Sequence, residues 1–306
     1  MQFRKRSASG RRRRWLLLGG VIGILTLSLA ACASDDSAND APGTSRTIQN
    51  KGSDTLLNVA LAWAEAYREV DPSVTIAVTG GGSGTGIAAL INGTVDLANA
   101  SREIKEDEIA AAEQNGVEPV ETVVAIDALA VIVNPANPVD QLTIDQLADI
   151  FTGRITNWQD LGGNDAPIIL VSRESNSGTH VYFLEEVVRK GDSDNTDIFA
   201  AKTLMMPSSV GITSEVGRNP NAIGYDGLGY VTEDEKIIAI ARTAADPFVL
   251  PSVETSDDGS YPLARNLYTY TAGEPTGAIA EYLDWILGPE GQQIVADLGF
   301  VPISQE

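Results

Sequence analysis

The 306-residue sequence has one cysteine, Cys32, and one histidine, His180. A single cysteine allows no intrachain disulfide, and one Cys with one His cannot build a Cys/His zinc site. A Ser-His-Asp hydrolase would have only His180 as its base, and Gly81-Gly82-Ser83-Gly84 lacks the closing glycine of a nucleophile elbow. Cations are also scarce: Lys and Arg total 21 against 42 Asp and Glu, a formal net charge of −21 that repels nucleic acids and anionic lipid surfaces. The run Gly81 to Gly86 continues into Ile87 without the Lys-Ser/Thr pair of a P-loop, and the dinucleotide glycine spacing is missing. No nucleotide, metal or other cofactor is expected, and no catalytic dyad emerges. Acids such as Asp234, Glu235, Asp257 and Asp258 fall in loop-like runs and read as solvated surface.

Seven of the scarce cations, Arg4, Lys5, Arg6 and Arg11 to Arg14, crowd the first 14 residues, and the apolar run Trp15 to Ala30 follows. That run is shorter than the ~20 residues a bilayer span needs, so it reads as an export signal. Leu29-Ala30-Ala31-Cys32 resembles the bacterial lipobox, which makes Cys32 a diacylated mature N-terminus and residues 1–31 a lipoprotein signal peptide. The arginine run leaves open a Sec or a twin-arginine route. Without residues 1–31 the chain carries 14 cations against 42 acids, net −28. Residues 32–46 are mostly small and polar and read as a flexible tether, with folding beginning near Thr47.

Beyond the tether, strand-like and helix-like stretches alternate, which predicts an α/β architecture. A strand over Thr47 to Lys51 leads to a helix whose apolar period runs from Leu56 to Tyr67 and stops at Asp71-Pro72. Val74 to Val78 predicts a second strand, Gly80 to Gly86 a loop, and Ile87 to Ile91 a short helix. Thr122 to Asn134 is almost wholly apolar apart from Asp127, as in strands buried on both faces. Ile168 to Ser172 predicts a strand that feeds the polar loop Arg173 to Ser177 and a helix from Gly178 to Lys190. Ile223 to Tyr225 and Ile237 to Ile240 read as return strands, with helices over Ala278 to Leu287 and Gln292 to Leu298. A chain of this length is expected to form two lobes.

Three loops share one design: Gly52-Ser53-Asp54-Thr55, Gly80 to Gly86 and Arg173 to Thr179 place small hydroxyl residues at the start of a helix. Taken singly, Ser53, Thr55 or Ser83 is an ordinary helix cap. Together they form an anion-binding design, because helix N-termini expose unpaired N–H groups and glycine admits a ligand close to the backbone. Arg173, four residues before Ser177, adds a guanidinium placed to form paired bonds to an oxyanion, the alternative being a surface ion pair with one of the many acids.

These loops, in this order after a lipobox, resemble the phosphate-binding lipoproteins of the high-affinity phosphate ABC importer. Supporting stretches are Asp96 to Arg102 (DLANASR), Ile150 to Gly162 (IFTGRITNWQDLG), Ser172 to Thr179 and Ala222 to Tyr225. The resemblance implies a type II periplasmic-binding-protein fold that closes around inorganic phosphate. It implies one lobe from 47–126 plus 239–306 and another from 127–238, crossing near Asp127 and returning near residue 238. It further implies phosphate contacts from Thr55, Ser83, Arg173, Ser177, Gly178 and Thr179, and Ser101 is expected to join them. The implied protein is a monomer that turns nothing over, hands phosphate to permease subunits, and holds the membrane through the lipid on Cys32. Many family members carry an aspartate, which accepts the proton of HPO4(2−), where this chain has Arg102. Arg102 is therefore expected to donate to the anion, with discrimination against sulfate relaxed or moved to Asp54 or Asp127. A receptor for another tetrahedral oxyanion, or a secreted phosphatase or phosphate sensor on the same fold, remains an alternative.

Overall fold

The computed structural model describes residues 46–303. The expected signal peptide, Cys32 and the tether lie outside the described residues, apart from Arg46, which opens the first strand. β1 (Arg46–Gly52) leads into α1 (Leu57–Val70), and β2 (Val74–Thr79) leads into α2 (Ser83–Ile91). In α1 the buried faces of Val59, Ala60, Trp63 and Tyr67 recur at helical spacing, and Asp71 closes the helix at the following Asp-Pro step. β3 (Leu97–Ala100) and α3 (Glu106–Gln114) complete the first half.

The 14-residue β4 (Val120–Val133) is the spine of the molecule. It is followed by β5 (Gln141–Thr143), α4 (Ile144–Phe151), β6 (Ile169–Arg173), α5 (Gly178–Phe183), β7 (Leu204–Met206), α6 (Ser209–Arg218) and β8 (Ala222–Gly227). β9 (Lys236–Ile237), β10 (Ala239–Ala241) and α7 (Val253–Asp257) then precede β11 (Ala264–Thr271), α8 (Ala278–Leu287) and α9 (Pro289–Asp297).

One mixed sheet runs β2-β1-β3-β11-β4-β8-β6-β7, with β9 also paired to β4. β1 is parallel to β2 and β3, and β6 is parallel to β7 and β8, while β4 and β11 run antiparallel to their neighbours. β4 pairs with β11 through Ala128 and with β8 from Leu129, so one strand serves both halves. Apolar clusters lie against each half: one around Trp63, Tyr282 and Phe300, another around Leu90 and Tyr270, a third around Phe151, Phe183 and Tyr225, and a fourth around Ile132 and Ile212. Helices cover both faces of each half, which is why the interior strands read as continuous apolar runs.

Four local expectations are corrected. α2 begins at Ser83 and not at Ile87, because Gly81 and Gly82 take positive φ (116° and 88°) and complete the turn before the serine. The stretch from 239 to 263 packs with the second half: β10 pairs with β5, and Ile240, Tyr261 and Leu263 join the Phe151 cluster, so the return crossing lies at Ala264 and not near 238. Glu235 is buried, accepting both the backbone N–H and the hydroxyl of Thr232. The helix from Gly178 also changes character, passing at Leu184–Val188 into a π-helical turn.

Candidate functional site

The three loops meet where the two halves of the sheet face one another. The Gly-rich turn touches the third loop directly: Gly84 N–H donates to the Asn176 carbonyl at 3.0 Å, and Asn176 Nδ2 donates to the Gly81 carbonyl at 2.9 Å. Thr55 and Thr179, one from each half, have their hydroxyl oxygens 2.9 Å apart, and both residues are buried. Ser83 Oγ accepts the Ser101 backbone N–H at 3.0 Å and lies 3.3 Å from Ser101 Oγ. A Cβ added to Gly178 would stand 2.4 Å from Ser83 Oγ and 2.5 Å from Ser101 Oγ, so only glycine permits this approach. Ser177 caps α5, its Oγ accepting from His180 N–H at 3.4 Å. His180 itself is buried beside Ser172 Oγ, and burial pushes its pKa down, consistent with a neutral structural role.

Arg173 is wholly buried at the end of β6. Its Nη2 pairs with Asp54 Oδ2 at 2.5 Å across the halves, and its Nη1 donates to Ser209 Oγ at 2.9 Å. Asp54 Oδ1 also accepts the Gly81 N–H at 3.1 Å, tying the first loop to the Gly-rich turn. Behind Arg173, Ser209 Oγ donates to Asp226 Oδ1, which also accepts the Gly227 N–H. Burial raises the Asp226 pKa to about 6, against the lowering pull of Arg173.

Arg102 is placed differently from its neighbours. Its guanidinium forms a bidentate pair with Glu108 at 2.7 and 2.8 Å and donates to the Glu103 carbonyl at 2.7 Å. It stands beside Gly84, with Nε buried and without a partner.

A third buried guanidinium, unread in the sequence, belongs to Arg265. It donates to Asp127 Oδ2 through Nε at 3.2 Å and Nη2 at 2.8 Å, and to Thr179 Oγ1 at 2.9 Å. Burial raises the Asp127 pKa, opposed chiefly by Arg265. Ser53 Oγ, Arg173 Nε and Arg265 Nη1 are buried in this region without a hydrogen-bond partner in the protein. Buried donors of this kind are costly to leave unmatched, so the arrangement is suited to receiving an acceptor-rich ligand.

Comparison with known proteins agrees with this geometry. Residues 37–290 match the model of the PBP superfamily domain. The phosphate-binding protein PstS of Pseudomonas aeruginosa is 36% identical over 280 residues, covering 86% of this chain and 85% of that protein. The chain belongs to the PstS family. The Bacillus subtilis PstS is 32% identical over 276 residues, covering 89% of this chain and 86% of its own. Among solved structures, a Clostridium perfringens protein with bound phosphate superposes with a TM-score of 0.74 at 34% identity, covering 85% of this chain and all of that one. An ABC-type phosphate transport receptor from Vibrio cholerae gives 0.67 at 27%, covering 84% of this chain and all of that one. The fold is that of a type II periplasmic binding protein, and the chain is, like its PstS relatives, a solute-binding protein and not an enzyme.

Within this PstS-family chain, the signal for Arg265 was a lone cation in the strand Ala264–Thr271. Its register partner is Asp127, the lone acid in Thr122 to Asn134. Two isolated opposite charges in two buried strands require each other, but the pairing appears only once the strands are known to be neighbours.

Proposed function

We propose that this protein is the extracytoplasmic receptor that captures inorganic phosphate and delivers it to an ABC importer. The observation that carries the reading is the convergence of hydroxyl and N–H donors from both halves with buried Arg173, including donors the protein leaves unmatched. Thr55, Ser83, Ser101, Ser177, Gly178 and Thr179 surround the anion, and Arg173 supplies charge-assisted bonds. Only approach of the two halves brings these groups onto one ligand, so binding favours the closed form.

Arg102 contributes charge from the wall of the site, moderated by Glu108. The acceptor for the proton of HPO4(2−) is Asp54, whose carboxylate bridges Arg173 and the Gly-rich turn. Sulfate, without that proton, would set acceptor against acceptor and be rejected. Cys32 carries the lipid that anchors the receptor, a monomer, to the cell membrane.

Calorimetric titration with phosphate, arsenate, sulfate and molybdate tests the reading. Phosphate binds and a large excess of sulfate does not compete. Arg173→Ala weakens phosphate binding by ~1.5 to 3 kcal/mol, roughly 10- to 150-fold, through loss of a charged hydrogen bond. Unchanged affinity in Arg173→Ala would remove the site assignment, and effective sulfate competition would remove the role of Asp54.

A further inference from the structure

Arg265 stands at the seam of the molecule. It sits on β11 one residue after the chain returns from the second half, and its register partner Asp127 lies on β4 two residues before that strand changes partners. From this seam its guanidinium reaches both halves. Nη2 lies 2.9 Å from Thr179 Oγ1 and 3.5 Å from Thr55 Oγ1, and the guanidinium carbon is 5.1 Å from the ring centre of Tyr182 on α5. Tyr182 in turn donates to the Ala264 carbonyl at 3.1 Å, so the guanidinium is clasped between the crossing strands and α5.

The chemistry of the two threonines follows from what an arginine cannot do. A guanidinium donates and never accepts, so neither threonine hydrogen can point at Arg265. One of the two hydroxyls donates to the other across their 2.9 Å separation. Of the two hydroxyl hydrogens, one is therefore used between the threonines, and the second is left for a third acceptor. Without Arg265 the pair could face an anion with a lone pair instead.

We infer that Arg265 is a positioning residue for anion binding. By donating to the Thr55–Thr179 pair from the seam between the halves, it fixes that pair as a hydrogen-bond donor toward the ligand. Asp127 holds the guanidinium in place by accepting from both Nε and Nη2. The inference rests on the phosphate-receptor reading and deepens it.

The test is a double-mutant cycle on the full chain with inorganic phosphate as the probe, read by calorimetry beside thermal melts. The neutral pair Arg265→Gln with Asp127→Asn removes both buried charges and puts an amide oxygen, which accepts, where the guanidinium only donates; it weakens phosphate binding 10- to 100-fold with little change in ligand-free melting temperature. Thr179→Val weakens binding by itself, while Thr179→Ser, which keeps the hydroxyl, restores near wild-type affinity. In the Thr179→Val background the neutral pair adds less than threefold, because the group it orients is gone. Fully additive losses, or wild-type affinity in the neutral pair, would overturn the inference. If that pair fails to fold, Arg265→Met with Asp127→Leu, which removes the donor without adding an acceptor, replaces it, and wild-type affinity there overturns the inference equally. Failure of the unmodified protein to bind phosphate would instead defeat the receptor reading itself.

Discussion

Asp226 is where pH acts on this site. Its carboxylate is wholly buried and its pKa is raised to about 6 from 3.8, mainly by desolvation. Above pH 6 the folded protein holds a charged carboxylate in a dry place that the unfolded chain hydrates. The group therefore costs stability at neutral pH, and the cost is relieved as pH falls from 6 to 3.8, where the folded state binds the extra proton. At 1.36 kcal/mol per pH unit the full effect is about 3 kcal/mol. Asp226→Asn is expected to be more stable than wild type at pH 7 by about 1 to 3 kcal/mol, with the advantage gone by pH 4 in urea melts at both values. An advantage independent of pH would show that burial of this charge is not the cause. Residues of this kind were the least legible in the sequence. Thr55, Ser83 and Thr179 could be read because a hydroxyl at a helix start has a local meaning, whereas Asp226 and Arg265 acquire theirs from neighbouring strands and from Ser209 on α6.

At the scale of elements, the loop-to-helix junctions were readable and the crossings were not. Glycine and hydroxyl residues mark where a helix begins, so the three loops are legible from the sequence without any contact. The segment 239–263 has punctuation of its own, Asp246-Pro247, the Ser252 cap of α7 and Asp258-Gly259, but these mark local turns and a helix start and name no partner, so its place beside β5 and the Phe151 cluster is set by packing. Gly178 shows how far one junction controls the meeting of the halves. Alanine there would put a methyl group within 2.5 Å of the hydroxyls of Ser83 and Ser101, which belong to the opposite half. The clash arises only where the halves meet, leaving α5 and its own core untouched. Gly178→Ala is thus expected to lower phosphate affinity more than tenfold while its ligand-free melting temperature stays within ~2 °C of wild type. The rise in melting temperature that saturating phosphate gives the wild type, worth ~2.7 kcal/mol at a hundredfold excess over Kd, shrinks accordingly. A normal phosphate-induced rise would mean that the halves do not close through this contact.

The molecule as a whole presents an apparent contradiction, an anion receptor with a net charge of −21. The two facts act over different distances. Repulsion from the acidic surface reaches ~30 Å at 10 mM salt but only ~8 Å at physiological ionic strength. The bonds from Arg173 and the hydroxyls operate at contact in a buried site, where salt screens little. Even the cavity of about 530 Å³ between the halves, which reaches Arg102 and Arg265, is bordered by Glu103, Glu106, Glu185 and Glu186. Raising NaCl from 10 to 150 mM should therefore increase the association rate for phosphate several-fold and change the dissociation rate much less, an association trend opposite in sign to that of a receptor with a cationic surface. Stopped-flow tryptophan fluorescence across that salt range measures both rates. If association slows with salt instead, the buried guanidinium groups dominate the field at the mouth of the cleft, and the surface acids do not govern the approach of the ligand.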